Sequence, residues 1–301
     1  MEPVLEFVDD PAAFLDVAGA LLAERPVEAT VVAGVTARMR ADVEAGRPLP
    51  SGAPTWWLLV RDHSGRVAGA AMRTASFAPY PPYLLAMPDD TARALARTLH
   101  ARGERVDGVN GALPAVEAFA AETARLTGGS HRVAEHTRLF ELDSLVDPAE
   151  PPGRARLARP DEVDQVLAWY DAFGVDAAEQ AGRSDPHPGP QEDRLSMLRR
   201  IEEGTVWVWE DESGAAVHLT GASAPMFGVS RIGPVYTPRE HRGRGYAAAT
   251  VAAASRHLLD SGARVCLFTD QANPVSNALY ERLGFRPLVD QANVVIDPPS
   301  R

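Results

Sequence analysis

Apolar and polar positions divide the first half of the chain into a series of predicted helices and strands. Helices are predicted over Asp10–Glu24 and Glu28–Glu44, and the apolar run Trp56–Val60 predicts a strand. The polar, glycine-containing segment Asp62–Arg66 predicts a turn, so that Val67–Thr74 forms the second strand of a hairpin. Further strands are predicted at Tyr83–Met87 and Asp107–Gly111, further helices at Asp89–Ala101 and Pro114–Leu126, and a strand or hairpin at His131–Leu142.

The second half of the chain repeats this order. Its pattern predicts helices at Asp161–Phe173 and Gln191–Glu203, a hairpin of Thr205–Glu210 and Ala215–Ser223, a strand ending near Thr237, a helix at Tyr246–Leu259, a strand at Arg264–Thr269 and a helix after Asn273. Such a repeat indicates a tandem of one fold. We therefore predict an α/β (α+β) protein of two similar domains, each a mixed central sheet flanked by helices, at residues 1–145 and 154–301, joined by a proline-rich linker at 146–153.

The stretch Ile232–Ala248 combines a strand, a basic turn and the start of a helix. Pro238 ends the strand because proline cannot donate to a sheet ladder, and Gly243 and Gly245 permit backbone conformations closed to other residues. The first N–H groups of the helix point toward one place and carry the positive end of the helix dipole. In a chain whose formal net charge is -11, this local basic turn predicts a binding site for an anionic group such as a phosphate.

Two motifs narrow the chemistry of this site. The turn fits R/Q-x-x-G-x-G/A, with Arg242, Gly245 and Ala247 at the defined positions, and it lacks the spacing of dinucleotide and nucleoside-triphosphate loops. Residues 273–285 then read Asn-Pro-Val-Ser-Asn-Ala-Leu-Tyr-Glu-Arg-Leu-Gly-Phe. In this order, separated by one helix and one strand, the motifs resemble the acetyl-CoA loop and the N-P-x-S-N-x-L-Y-x-x-x-G-F segment of the GNAT superfamily of N-acetyltransferases. The resemblance covers residues 154–301.

This resemblance implies direct transfer of an acetyl group from acetyl-CoA, bound as a co-substrate, to the amine of a small molecule. It implies that Tyr280 is the general acid for the departing thiolate, since a phenol with a pKa near 10 is protonated at neutral pH. It also implies that Asn273 holds the pantetheine arm. A tyrosine packed in the core and a plain helix cap are the alternatives for these two residues. The implied cofactor-binding residues are Val235, Tyr236, Thr237, Arg242, Gly243, Arg244, Gly245, Tyr246, Ala247, Ala248, Asn273 and Ser276.

The group that accepts the proton of the amine is less well defined. Many relatives use a glutamate on the central strand, but residues 228–237 contain none. His218 is the best titratable candidate, although a histidine on a strand face is more often a core residue. Glu240 and His241 border the turn, and an ordered water would also serve.

The acceptor site is expected near a loop at residues 174–191, which joins the first two helices of the second half. Acidic side chains there would suit a cationic amine, or would only keep the loop solvated. For the aromatic residues of the preceding helix, a place in the core is favoured over a place in the pocket. The acidic and titratable residues of the loop are Asp176, Glu179, Asp185 and His187, and the aromatic residues are Trp169, Tyr170 and Phe173.

The first half departs from the family where the phosphate loop would lie. Residues 86–90, Ala-Met-Pro-Asp-Asp, contain neither glycine nor arginine, and their two carboxylates would repel a pyrophosphate. We expect this half to bind no CoA, and either to be structural or dimerising or to form a wall of the acceptor pocket.

Composition and charge exclude several classes of function. The sequence has no run of about 18 apolar residues and no signal-peptide pattern, and its single cysteine, Cys266, forms no internal disulfide. We expect a cytoplasmic protein that binds no nucleic acid, membrane or metal, and a homodimer is one option for its assembly. Two rival functions are a non-catalytic acyl-CoA sensor or scaffold, and a transferase that uses another acyl donor.

Overall fold

Two successive series of helices and strands have the same order in this computed structural model, which describes residues 4–49, 52–183 and 192–299. The first series is β1 (Val4–Val8), α1 (Pro11–Glu24), α2 (Thr30–Glu44), β2 (Trp56–Arg61), β3 (Val67–Arg73), β4 (Tyr83–Leu84), α3 (Asp89–Ala101), β5 (Gly108–Ala112), α4 (Ala115–Thr127) and β6 (Ser130–Leu142). The second is β7 (Arg154–Leu157), α5 (Val163–Gln180), α6 (Arg194–Glu202), β8 (Val206–Glu210), β9 (Ala216–Ala222), β10 (Val229–Tyr236), α7 (Tyr246–Asp260), β11 (Arg264–Asp270), α8 (Pro274–Arg282) and β12 (Phe285–Asp297). The repeated order agrees with the predicted tandem of one α/β fold.

The first compact unit comprises Met1–Thr137 and Val289–Arg301. Its strands follow the order β1-β2-β3-β4-β5-β12. The strands β4 and β5 are parallel, and each of the other neighbouring pairs is antiparallel. Leu95 of α3, Phe119 of α4 and Val294 of β12 are fully or almost fully buried in one core. This core therefore combines side chains from the first half of the chain with side chains from β12.

The last strand crosses between the units. Its residues from 289 onward count with the first unit, where residues 291–295 pair antiparallel with residues 108–112 of β5. The predicted boundaries follow the order of the chain and assign these residues to the second domain. In the structure they belong to the first compact unit, because Ala292, Val294 and Ile296 are buried in the hydrophobic core of that unit. Similarly, β6 passes into the second unit at Arg138.

The second compact unit, Arg138–Leu288, places helices on both faces of its sheet. Its strands follow the order β7-β8-β9-β10-β11, and β10 and β11 are parallel. Val206 and Val208 of β8 pack with α5 and α6. The alternating Trp207 and Trp209 contact His257 and Tyr246 of α7. Because successive side chains of β8 point to opposite faces of the sheet, α5 and α6 cover one face of the sheet and α7 covers the other.

Helix α5 extends beyond its predicted end. The prediction stopped at Phe173, before Gly174, but the helix continues to Gln180. A glycine inside a helix costs about 1 kcal/mol, and the following Asp176–Gln180 stretch consists mainly of strong helix formers. The short strands β1 and β7 were also missing from the prediction, since a few residues show little periodicity.

Within the part of the chain that the structure describes, no helix is both long enough and apolar enough to span a bilayer. Cys266 is buried in β11.

A buried hydrogen bond in the first unit gives a stability prediction. Trp57 Nε1 donates to Thr36 Oγ1 over 2.8 Å, and both side chains are fully buried. Thr36→Val keeps the shape but leaves the indole N–H unpaired, so we expect the free energy of unfolding to fall by about 1–3 kcal/mol. Urea unfolding measures this change. Thr98→Val, which removes a half-buried hydroxyl from Ala94 O, is the control and should cost less than about 1 kcal/mol. Equal losses would contradict the account.

Candidate active site

The candidate site begins where two parallel strands part. β10 pairs with β11 over residues 229–232, opposite residues 264–267, and in the described chain no ladder joins the two strands beyond this point. On its other edge, β10 pairs with β9 with a register shift between Ile232 and Val235. Gly233, with φ +149°, lies in this irregularity, in a conformation that favours glycine. Since β10 continues to Tyr236 and β11 to Asp270, the strands flank a cleft along which backbone groups of β10 are available.

The basic turn lies at the end of β10. A 3₁₀ turn, Arg239–His241, leads to Gly243 (φ +76°) and Gly245 (φ +87°), and α7 begins at Tyr246. No atom lies within 4 Å of a Cβ built on Gly243, so glycine is required there by its φ and not by space. Gly243, Arg244 and Gly245 are exposed. No side chain caps α7, and its first helical bond runs from Ala249 N to Gly245 O, which leaves the N–H groups of residues 246–248 as outward donors.

The carboxylate of Asp176, on α5, joins the end of β10 to this turn. Its oxygens accept hydrogen bonds from Tyr236 Oη at 3.1 Å, Arg239 Nη2 at 2.7 Å and Arg242 Nη2 at 2.6 Å. Arg242 Nε also donates to Thr237 O over 3.0 Å. Two of the arginines are therefore held by carboxylate and backbone groups of the protein itself.

Arg244 has different surroundings. It is exposed, and its Nη2 donates to the backbone carbonyl of Glu240 over 3.2 Å. Among the described residues it is the arginine of the turn that has no carboxylate partner. Together with the helix N–H groups, it leaves the turn a positive surface.

Asp176 and Glu179 were predicted to lie in a loop beside the acceptor, and the structure places them elsewhere. Both lie on α5, and Arg239 pairs with both. Hydrogen bonds from Arg239 and Tyr236, with the charge of Arg242, hold the pKa of Asp176 below its ordinary value against the effect of burial. Asp176 thus stays ionised but offers no free charge to an amine. Its partners lie 60 or more positions away in the sequence, where no local pattern reveals them.

The remaining loop candidates, Asp185 and His187, lie outside the described residues. The aromatic residues predicted for the core, Trp169, Tyr170 and Phe173, are half-buried and pack against the cluster between the sheet and α5 and α6.

Asn273 fixes the start of α8 on the opposite wall of the cleft. Its Oδ1 accepts from Val275 N at 3.2 Å and Ser276 N at 3.1 Å, so it caps the helix, and its Nδ2 donates to Gln180 Oε1 over 3.3 Å. Ser276 Oγ donates to Asn273 O over 3.2 Å. These contacts show that Asn273 is the cap of α8, and that this cap is linked to α5 through Gln180.

Tyr280 lies one to two turns into α8 with its ring in the core. The ring packs edge-on against Phe285, with 5.9 Å between the centroids. Burial raises the pKa of the phenol, so the hydroxyl is protonated throughout the neutral range. In the described chain the hydroxyl has no hydrogen-bond partner. Such a hydroxyl is free to donate a proton, while the ring contributes to packing.

His218 lies in an environment that disfavours the proton-acceptor role. Its side chain is fully buried, and its ring nitrogens contact Thr237 Oγ1 at 2.7 Å and Thr220 Oγ1 at 2.8 Å. Burial lowers its pKa to about 3. Because both nitrogens have partners and the imidazole is neutral, His218 positions Thr237 at the end of β10. Glu240 is exposed and His241 half-buried, both beside the turn.

Comparisons with known proteins agree with this geometry. Residues 222–294 match the family described as "FR47-like protein". No curated protein matches the sequence. The matched residues include β10, the basic turn, α7, β11 and α8.

Solved structures match over nearly the whole chain. A Drosophila protein has a TM-score of 0.64 at 13% identity, covering 99% of this chain and 100% of its own. A GCN5-related N-acetyltransferase from Sphaerobacter thermophilus has a TM-score of 0.60 at 17% identity, covering 99% and 97%. A tandem GNAT protein from the clavulanic acid biosynthesis pathway has a TM-score of 0.52 at 18% identity, covering 99% of both chains. The predicted fold of two GNAT-like domains is confirmed.

The arrangement around Asp176 predicts a pH-dependent contribution to stability. Asp176→Asn removes the charge that holds Arg239 and Arg242, so we expect the free energy of unfolding at pH 7 to fall by about 1–2 kcal/mol. A carboxyl group whose pKa is lowered by folding stabilises the folded protein fully at pH values above its unfolded pKa, which is near 4. This stabilisation is lost as the pH falls through the pKa of the folded state. The difference between variant and wild type should therefore shrink below pH 4 in urea unfolding.

Glu179→Gln is the matched control for this prediction. Its carboxylate is 62% exposed, so its loss should cost less than about 0.5 kcal/mol at any pH. A deficit in Asp176→Asn that stays constant from pH 7 to pH 3 would refute the electrostatic explanation.

Proposed function

We propose that the second unit, whose fold and motifs resemble those of the GNAT superfamily, transfers an acetyl group from acetyl-CoA to the amine of a small molecule. The observation that carries the proposal is a combination of three groups in the second unit, where Tyr280 shares a hydrophobic cluster with Ile232 of β10 and Ala248 of α7 packs against it. These are the unpaired edge of β10, the uncapped start of α7 and the hydroxyl of the largely buried Tyr280. Each corresponds to one chemical need of the reaction.

The donor fits the two ends of the cleft. The pyrophosphate of CoA would bind the exposed turn, where residues 243–248 offer N–H groups and Arg244 offers a positive charge. The amide groups of the pantetheine arm would pair with the backbone of residues 235–237, as a further strand pairs with a sheet. Asn273 and Ser276 would border the arm at the opposite wall.

The leaving group requires a proton, and Tyr280 would supply it. Its raised pKa keeps it protonated until the thiolate forms beside it. The amine attacks as the neutral base and its proton leaves to water, because His218 is buried and its ring nitrogens are already paired. A sensor without turnover would not need a protonated hydroxyl at this place, which favours an enzyme over that alternative.

Titration calorimetry of the full chain with acetyl-CoA, CoA and NAD tests the donor assignment. We expect acetyl-CoA and CoA to bind and NAD not to bind. A screen of small amines by release of free thiol then tests transfer. Binding without thiol release on any amine would favour the sensor, and binding only of longer acyl-CoAs would favour another acyl donor.

The turn gives a sharper test. Gly245→Val places a β-branched residue at φ +87°, so we expect the turn to refold locally and the affinity for acetyl-CoA to fall at least about tenfold. Gly262→Val imposes the same strain at φ +84°, with no atom within 4 Å, at the far end of α7. This control should be destabilised similarly but should bind normally. Equal affinities in both variants would remove the turn from the binding site.

Tyr280→Phe tests the acid. The ring and its packing stay, so the affinity for acetyl-CoA should change less than about twofold. Turnover should fall at least about tenfold, because the thiolate then leaves without a positioned proton donor. Thiol release under saturating substrates measures it. Unchanged turnover would assign Tyr280 to the core alone.

A further inference from the structure

A second tyrosine, on α5, reaches β10 at the register shift between Ile232 and Val235, which we call the β10 bend. Tyr170 lies on α5, and a Cβ built on Gly221 of β9 would lie 2.4 Å from its hydroxyl oxygen and 2.8 Å from Gly233 O. The phenol oxygen therefore rests against the sheet where β10 changes register. Gly233 is exposed and Val235 half-buried, so this bend is open to a bound molecule. Glycine at position 221 is what permits the approach.

An arginine holds the phenol oxygen in this place. Arg200 Nη2 donates to Tyr170 Oη over 3.0 Å and to Ala222 O over 3.2 Å, and its guanidinium lies 5.3 Å from the ring centroid. Glu192 pairs with Arg200 Nη1 at 3.6 Å. Since a guanidinium has donors only, the phenol oxygen is the acceptor of this bond. The phenol hydrogen is thus left for another acceptor.

The protonation state of Tyr170 suits a donor. Burial raises its pKa, and the neighbouring Arg200 opposes only part of that effect. The phenol therefore keeps its proton at neutral pH. The nearby positive charge also makes its O–H a stronger hydrogen-bond donor than an isolated phenol.

We propose that the Tyr170 hydroxyl is a catalytic group, which donates a hydrogen bond to the thioester oxygen as that oxygen becomes negative, and that Arg200 is its positioning residue. The inference rests on the proposed acyl transfer and adds a side-chain donor to the backbone donors of the β10 bend. Donors fixed in advance at the point where charge develops lower the barrier more than donors that must reorient.

The step balances without a further reactant. The amine nitrogen bonds to the carbonyl carbon, and the π pair moves to the oxygen, where the hydrogen bond from Tyr170 shortens without transfer of its proton. The pair then returns, the carbon–sulfur bond breaks, and the sulfur takes the proton of Tyr280. The extra proton on the amide nitrogen passes to water, from which Tyr280 is reprotonated.

Tyr170→Phe in the full chain tests the proposal. With an acceptor found by the thiol-release screen, we expect kcat to fall about 10–100-fold, with the calorimetric affinity for acetyl-CoA within about twofold of wild type. A merely structural role would lower thermal stability and affinity together. Tyr83→Phe in the first unit, which loses a hydroxyl bond to Gln291 of 2.8 Å, is the matched control and should retain full kcat.

Arg200 provides the second arm of the test. If Arg200 acts through Tyr170, Arg200→Met lowers kcat, Arg200→Lys restores part of it, and the double variant is no slower than Tyr170→Phe alone. If the losses of kcat in the two single variants multiply in the double variant, Arg200 does not act through Tyr170, and the positioning role is overturned. A Tyr170→Phe variant with full kcat would overturn the catalytic role. If the wild-type protein binds acetyl-CoA but none of the amines in the screen causes release of thiol, the proposed acyl transfer is overturned, and this inference with it.

Discussion

The buried carboxylate of Asp176 is the contact on which the geometry of the cleft depends. A carboxylate taken out of water is tolerated only beside cations and donors, and here Tyr236, Arg239 and Arg242 supply them. The same contacts fix the end of β10, the following turn and the C-terminal part of α5 relative to one another. Four residues further along α5, Gln180 reaches the cap of α8. One helix thereby ties both walls of the cleft.

This arrangement also decides where positive charge remains. Arg242 looks, in the sequence, like a phosphate ligand, yet it pairs with Asp176, and Arg239 pairs with both Asp176 and Glu179. The positive surface of the turn comes instead from unpaired N–H groups at the start of α7 and from Arg244. In a chain with a net charge of -11, such a confined source favours an anion that presents its charge to this one point.

The sequence determines the parts of this site that depend on neighbours along the chain. The turn at Gly243 and Gly245, the cap at Asn273 and the position of Tyr280 follow from local spacing, and the repeated order of strands and helices predicts the tandem fold. Contacts between distant residues have no such signal. Asp176 was assigned to a loop because Gly174 resembles a helix end, and only packing on β10 shows that the helix continues. Likewise, no pattern in residues 289–297 indicates that they pair with β5.

The path of the two long strands constrains how the chain can be divided. The first core needs Ala292, Val294 and Ile296, while the second needs Phe140 and Leu142. A cut in the linker at residues 146–153 would therefore leave the N-terminal fragment without its last strand and the C-terminal fragment without residues 138–142 of β6. During synthesis, the first unit cannot complete its part of the sheet until residues 291–295 have left the ribosome and can pair with β5. Although each half repeats the same order of elements, each unit needs a strand segment from the other half of the sequence, so the two units complete their folding together.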